Sequence, residues 1–374
     1  MPSASPPHRQ LCFAPSRHLL RLAGLCTLSL SLACPVGAAP ATLPLPDRAQ
    51  PMRAQPERGP VSPAADPLPS WREGPRKRAL LTFVEQSSAG AAALEPEQRI
   101  AVFDHDGTLW SEQPLYFPML YAIDRLQRLA PGHPAWRRQE PYASALRGDL
   151  AALMRQGHQA LTPLLEASVM GMSPDAFRDD VRAWLGRARQ PGSGRPLTEL
   201  VFQPMLELLR HLRQRGFRLY IVTGGDAMFL RAWSEAVYGI PPEQVIGTRL
   251  QLAYREDAPG GPRLERLPVL DLLVDGPAKP VAIEQALGRR PVAAFGNSDG
   301  DRAMLAWTMA GPGPRLALLV HHTDGRREWA YDRRSPVGRL DRALDQARRE
   351  GWLVLDMARD WAVVHPPAAR PLPR

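Results

Sequence analysis

Cysteine is nearly absent. The 374-residue chain has three, Cys12, Cys26 and Cys34, all close to its start. Beyond them no disulfide and no zinc–thiolate site is possible, so a folded domain must take its stability from its core. Lysine is almost as scarce: of 47 basic residues only Lys77 and Lys279 are lysine. No apolar run reaches the ~20 residues that a membrane-spanning helix requires. No basic run carries interleaved aromatics, and the net charge of +9 is scattered among acids, which argues against a nucleic-acid-binding face.

What is present divides the chain. Residues 1–38 hold Arg9, Arg17 and Arg21 but no acid. An apolar stretch over residues 22–33 follows, and Val36-Gly37-Ala38 supplies small residues for cleavage after Ala38. This reads as a signal peptide and predicts a secreted or periplasmic protein with no stable membrane insertion after cleavage. Lipid attachment at Cys34 is the minor alternative, because Ser31 fits that signal poorly. Residues 39–78 are rich in Pro and Ala without periodicity and read as a flexible linker, with order beginning near Ala79. Residues 366–374 (PPAARPLPR) read as a frayed tail.

Between the ends, short apolar strands alternate with helices. Met205, Leu208, Leu209 and Leu212 mark one helix face ending at Gly216; residues 217–222 (FRLYIV) read as a strand, and Thr223-Gly224-Gly225 as a turn. Helices are expected from Lys279 to Gly288, up to about Met309, and from Leu340 to Gly351. Strands are expected over 292–295, 316–320 and 353–355. This alternation predicts an α/β fold with a parallel sheet. Residues 114–198 differ in having helical patterns only. Ser173-Pro174 starts a helix with Phe177, Val181, Trp184 and Leu185 on one stripe. The insert suggests a helical cap, with the sheet built from 79–113 and 199–365.

The most informative segment is Ala101 to Trp110, AVFDHDGTLW. An apolar run breaks into two acids, Asp104 and Asp106, followed by Gly107 and Thr108. Carboxylates at the edge of a sheet are costly unless something cationic binds them. Three further features fall beside strand ends, where open α/β sheets place ligands. They are Thr223-Gly224-Gly225, Lys279 and the loop Gly296-Asn297-Ser298-Asp299-Gly300-Asp301.

In this order, the four features resemble the motifs of the haloacid dehalogenase superfamily, nearest to its phosphoserine-phosphatase-like and phosphorylcholine-phosphatase-like branch. The resemblance spans roughly residues 98–310 and implies a Rossmann-like three-layer α/β sandwich with an inserted cap. It implies that Asp104 is the nucleophile and Asp106 the general acid and base, and Asp106 argues against carbon–halogen cleavage. Thr223, with the backbone N–H groups of Gly224 and Gly225, is implied to bind phosphate. Lys279 is implied to touch both nucleophile and phosphate, a task for a compact ammonium. For a Mg²⁺ cofactor the resemblance implies Asp104, the Asp106 carbonyl and Asp301 as ligands. Asn297 stands where the motif has its first acid; it and Asp299 are candidates for direct or indirect metal contact.

These implications give an exported Mg²⁺-dependent phosphatase acting on a small-molecule phosphate ester through an aspartyl-phosphate. The alternatives are a phosphotransferase using the same intermediate and a non-catalytic phosphate-ester-binding protein. Other polar residues stay open. His105 is expected to point away from the metal, because alternate residues of an extended segment face opposite sides. Glu112 is either a guard at the mouth of the site or a solvated loop acid. His321 and His322 either tune the site or are hydrogen-bonded turn residues.

Overall fold

The computed structural model describes residues 66–367, apart from 91–92, 157–160 and 258. The expected signal peptide, Cys34, most of the expected linker and residues 368–374 lie outside the described residues.

In chain order the elements are α1 (Pro75–Ser88), β1 (Ile100–Phe103), α2 (Phe117–Leu129), α3 (Tyr142–Arg147), α4 (Leu150–Arg155), α5 (Thr162–Ser168) and α6 (Pro174–Arg187). There follow α7 (Gln203–Gln214), β2 (Arg218–Asp226), α8 (Ala227–Arg231), α9 (Ser234–Tyr238), β3 (Val245–Arg255) and β4 (Arg263–Leu272). The last are α10 (Ala278–Leu287), β5 (Ala293–Gly296), α11 (Arg302–Met309), β6 (Leu316–His321), α12 (Arg342–Glu350), β7 (Leu353–Asp356) and α13 (Met357–Asp360). One seven-stranded sheet runs in the order β4-β3-β2-β1-β5-β6-β7. Every neighbouring pair is parallel except β3 and β4.

The expected parallel α/β sheet is therefore present, with an antiparallel strand at one edge. β1 explains its own central place. Its residues Ile100, Ala101, Val102 and Phe103 are all buried, as a strand covered on both faces must be. Ala101 and Phe103 face a cluster that includes Met205, Leu208 and Leu212 of α7. Ile100 and Val102 face Ile283 of α10, Met304 and Leu305 of α11 and Leu344 of α12. Each such side chain contributes about 1.5–3 kcal/mol through burial. From β1 the chain builds outward to β4, then returns to β5 and builds to the other edge. The order reverses beside β1, so a crevice opens past its C-terminal end.

The elements described between residues 114 and 198 are helices, and α2–α5 hold a cluster of their own with Met119, Leu126, Leu153 and Leu164. α6 begins where its sequence signal lies: Ser173 Oγ accepts the Ala176 N–H at 3.1 Å, and Phe177, Val181, Trp184 and Leu185 are buried.

Three expectations are corrected. Order begins before Ala79, because Leu68 and Trp71 are buried and Trp71 packs edge-on against Trp361 at 6.1 Å. Lys77 is likewise buried, donating at 2.6 Å to both Asp66 and Glu73. The proline-rich composition conceals these anchors. Secondly, Thr223-Gly224-Gly225 is not a turn. β2 continues to Asp226 because Thr223 pairs with Gly247 of β3 and, after a bulge, Asp226 pairs with Thr248. The chain turns only there, where the Asp226 carboxylate accepts the Met228 N–H and starts α8. Thirdly, β3 and β4 have no counterpart among the expected strands. β3 is largely exposed beyond Thr248 and β4 is exposed over most of its length apart from the buried Arg266, so polar and apolar side chains mix on both faces, and Pro268 interrupts the β4 pattern.

Candidate active site

Asp104 is the first residue after β1, and its N–H donates to the Phe295 carbonyl of β5 at 2.9 Å. The parallel ladder thus fixes the backbone of Asp104 in the crevice. Lys279, in the first turn of α10, reaches the same point. Its Nζ donates to Asp104 Oδ1 and Asp301 Oδ1, both at 2.6 Å, and to the Val222 carbonyl at 3.0 Å. All three side chains are buried. One ammonium therefore joins the first, third and fourth motifs, residues 175 positions apart included.

The charge states follow from this packing. Burial lifts the Asp104 carboxyl well above its ordinary range, the Asp301 charge adds to this, and Lys279 pulls it down. Burial works against charge on Lys279, but Asp104 and Asp301 outweigh it and hold the ammonium above its usual value. Asp106 is buried beside these groups, and its Oδ1 has no hydrogen-bond partner. Its Oδ2 lies 3.7 Å from where a side chain on Gly225 would begin, which places the second aspartate against the glycine pair.

Thr223 is buried at the end of the same crevice, but its Oγ1 accepts the Gly225 N–H at 2.9 Å. That N–H is thus engaged within the motif rather than free for a ligand, while the threonine hydroxyl keeps its own proton to donate. Asp301 is also committed. Its Oδ2 accepts the N–H groups of Asn297 at 3.0 Å and Ser298 at 2.9 Å, and the Ser298 hydroxyl at 3.1 Å. Asp299 is turned elsewhere, accepting the N–H groups of Asp341 and Ala343 at the start of α12. It caps a helix.

Glu112 is not a solvated loop acid. It is buried, and its Oε1 accepts from Asn297 Nδ2 and from the Tyr331 hydroxyl, each at 2.7 Å. Burial raises this carboxyl well above its ordinary value; Tyr331 opposes the shift and the charges of Asp106 and Asp104 add to it. Asn297 is fixed on its other side by the Thr108 hydroxyl, 3.1 Å from its Oδ1. His322 reaches the first motif as well, with Nε2 at 2.8 Å from the Gly107 carbonyl and Nδ1 at 3.2 Å from Glu328. His321 lies apart, 3.5 Å from Asp332. His105 does point away, into Trp110, Trp233 and the Tyr238 hydroxyl at 3.1 Å.

Tyr331, Glu328 and Arg266 have no counterpart among the expected site residues. Arg266 of β4 is buried, pairs with Asp226 and stacks over Phe177 of α6 at 3.8 Å. It ties the end of β2 to the helical insert. No spacing rule links these residues to the motifs they touch.

Two carboxyl groups, Asp104 and Asp301, thus hold the ammonium of Lys279, and Asp106 and Glu112 lie near enough to Asp104 for their charges to act on one another. Among the described residues, no three His, Cys, Asp or Glu side chains form a metal-holding group by themselves. Oxygen donors are nonetheless at hand in the Asp104 carboxylate, the Asp106 backbone and the Asn297 amide. An excess of buried acid with an unpartnered Asp106 Oδ1 fits a hard divalent cation.

A parallel α/β sheet with two aspartates and a buried lysine at the reversal of its strand order is the site of a hydrolase with a phosphatase-like fold. The sequence pattern of the haloacid dehalogenase-like hydrolases matches residues 101–306, more than half of the chain, and the protein belongs to that family. No curated protein matches the chain. Among solved structures it is similar to a protein of unknown function from Bordetella pertussis Tohama I, with 17% identity over 70% of this chain and 99% of that one, at a TM-score of 0.46. A phosphoserine phosphohydrolase-like protein from Francisella tularensis has 16% identity over 61% of this chain and 89% of its own, with a TM-score of 0.36. A probable phosphoserine phosphatase from Vibrio cholerae has 14% identity over 59% and 55%, with a TM-score of 0.34.

Proposed function

We propose that the protein is an exported, Mg²⁺-dependent phosphatase that hydrolyses a small-molecule phosphate monoester through an aspartyl-phosphate on Asp104. The observation that carries this reading is Lys279 Nζ at 2.6 Å from both Asp104 and Asp301, beside an Asp106 whose Oδ1 is free of partners. Mg²⁺ would be held by Asp104, the Asp106 carbonyl, Asn297 and Asp301. When bound it supplies positive charge that neutralises phosphate oxygens and keeps Asp104 ionised.

The chain's own residues do the rest. The Thr223 hydroxyl holds a phosphoryl oxygen, and the Lys279 ammonium, exchanging one of its three protein contacts for a phosphoryl oxygen, orients phosphorus toward Asp104. The Asp104 carboxylate attacks phosphorus as the bond to the leaving oxygen breaks, and Asp106 gives that oxygen its proton. Asp106 then removes a proton from water, which attacks phosphorus, releases inorganic phosphate and restores Asp104. The helical insert of residues 114–198 acts as a cap that selects the leaving group, and its link through Arg266 to Asp226 sets how it sits over the crevice.

A phosphate-release screen of the purified mature protein with Mg²⁺ tests the proposal, using phosphoserine, phosphocholine and sugar phosphates. Release from at least one ester, abolished by Asp104→Asn, is expected. Undiminished turnover by Asp104→Asn overturns the mechanism. Added alcohol acceptors separate hydrolysis from phosphoryl transfer.

A further inference from the structure

Asn297 stands at a position where the fourth motif would carry an acid, yet a carboxylate lies beside it. Glu112 Oε1 is 2.7 Å from Asn297 Nδ2 and belongs to the first-motif loop, 185 residues away. Its place is built into the fold. A side chain on Gly107 would begin 2.4 Å from that oxygen, and one on Gly338 only 1.8 Å from it. Both glycines have positive φ, 77° and 64°, so glycine serves there for the backbone and for the space. The Tyr331 hydroxyl closes the pocket with a second hydrogen bond at 2.7 Å.

The chemistry of the contact is one-sided. Asn297 Nδ2 donates to Glu112 Oε1, so its Oδ1 is turned to the Thr108 hydroxyl, 3.1 Å away. An aspartate at 297 would instead set two carboxylates against each other at hydrogen-bond distance. Two acids at these positions could not both carry a charge without cost. We propose that Glu112 and Asn297 are a charge-exchanged pair, in which Glu112 supplies the acid missing from the fourth motif and orients the Asn297 amide oxygen toward the metal site. This rests on the Mg²⁺ reading above. Glu112 acts as a positioning residue, not as the nucleophile or the proton donor.

The test is a four-protein cycle of the parent, Glu112→Gln, Asn297→Asp and the double variant. Thermal melting is read without metal, and Mg²⁺ affinity by calorimetric titration of the metal-free protein. Glu112→Gln is expected to weaken Mg²⁺ binding about 10–100-fold, the range for partners that orient metal ligands. Asn297→Asp alone should lower the melting temperature, and the double variant should recover both melting temperature and Mg²⁺ affinity toward the parent. Tyr331→Phe, which leaves the acid in place but removes one donor, should weaken Mg²⁺ binding in the same direction and less. Additive melting changes, or Mg²⁺ affinity unaltered in Glu112→Gln and Tyr331→Phe, overturn the exchange. Absence of Mg²⁺ binding by the parent removes the metal reading instead, and is told apart because the melting cycle contains no metal.

Discussion

Replacing Lys279 by Met keeps an unbranched side chain and removes one charge from the centre of the site. Lys279 Nζ holds Asp104 Oδ1 and Asp301 Oδ1 at 2.6 Å each, with all three side chains at or below 8% exposure. The variant leaves two buried carboxyl groups without their counter-charge. Breaking a buried pair by removing one partner costs about 3–5 kcal/mol, well above the ~0–1 kcal/mol of an exposed pair. The cost must also depend on pH. Burial already lifts Asp104 above its ordinary range, and the folded variant favours its protonated form still more. An acid whose folded value is raised gives its best stability below its unfolded value and loses it as pH rises through the folded one. The deficit of Lys279→Met should therefore be full at neutral pH and shrink in acid. Lys279 itself is raised, so the stabilisation it brings is present up to its ordinary value and is lost only above that, in strong alkali. Urea denaturation of both proteins at neutral and mildly acidic pH measures this. A neutral-pH loss under ~1 kcal/mol, or one that does not change with pH, refutes the reasoning.

Asp106→Asn should slow phosphate release by about 10²–10⁴-fold, more for esters with poor leaving groups; equal rates across leaving groups would remove Asp106 from proton transfer. Trp71→Ala should cost about 3–5 kcal/mol in chemical denaturation, because Trp71 packs on Trp361 and its Nε1 donates to the Pro204 carbonyl at 3.0 Å. A negligible loss would return residues 66–78 to the status of a linker. Gly338→Ala should lower both melting temperature and activity, whereas Gly351→Ala, with similar φ of 71° and nothing within 4 Å, serves as the control for backbone strain alone. Equal effects at the two glycines would mean that the approach of Glu112 to Gly338 is unimportant.

What was legible in the sequence was local. The run from Ala101 to Phe103 ending in Asp104 declares a buried strand and a site in four letters, because period and polarity change at one point. The rarity of lysine singled out Lys279, whose ammonium makes three hydrogen bonds, to Asp104, Asp301 and the Val222 carbonyl. The Glu112–Asn297 contact was not legible, since nothing in either segment encodes a partner 185 residues away. The β3–β4 arm escaped for another reason. Leu252, Tyr254, Leu264 and Val269 are exposed, so the strands lack the one-sided burial that makes alternation readable. Trp71 and Lys77 were hidden by proline-rich surroundings whose composition resembles a linker while single residues dock into the core.

The central claim is a covalent phosphoryl group on Asp104. Rapid acid quench of the mature protein during turnover of a phosphate ester with Mg²⁺, followed by mass spectrometry of its peptides, tests it directly. The phosphoryl mass increment should appear on the peptide containing Asp104 and vanish in Asp104→Asn. Steady turnover with no increment on that peptide, or an increment that persists in Asp104→Asn, contradicts the account.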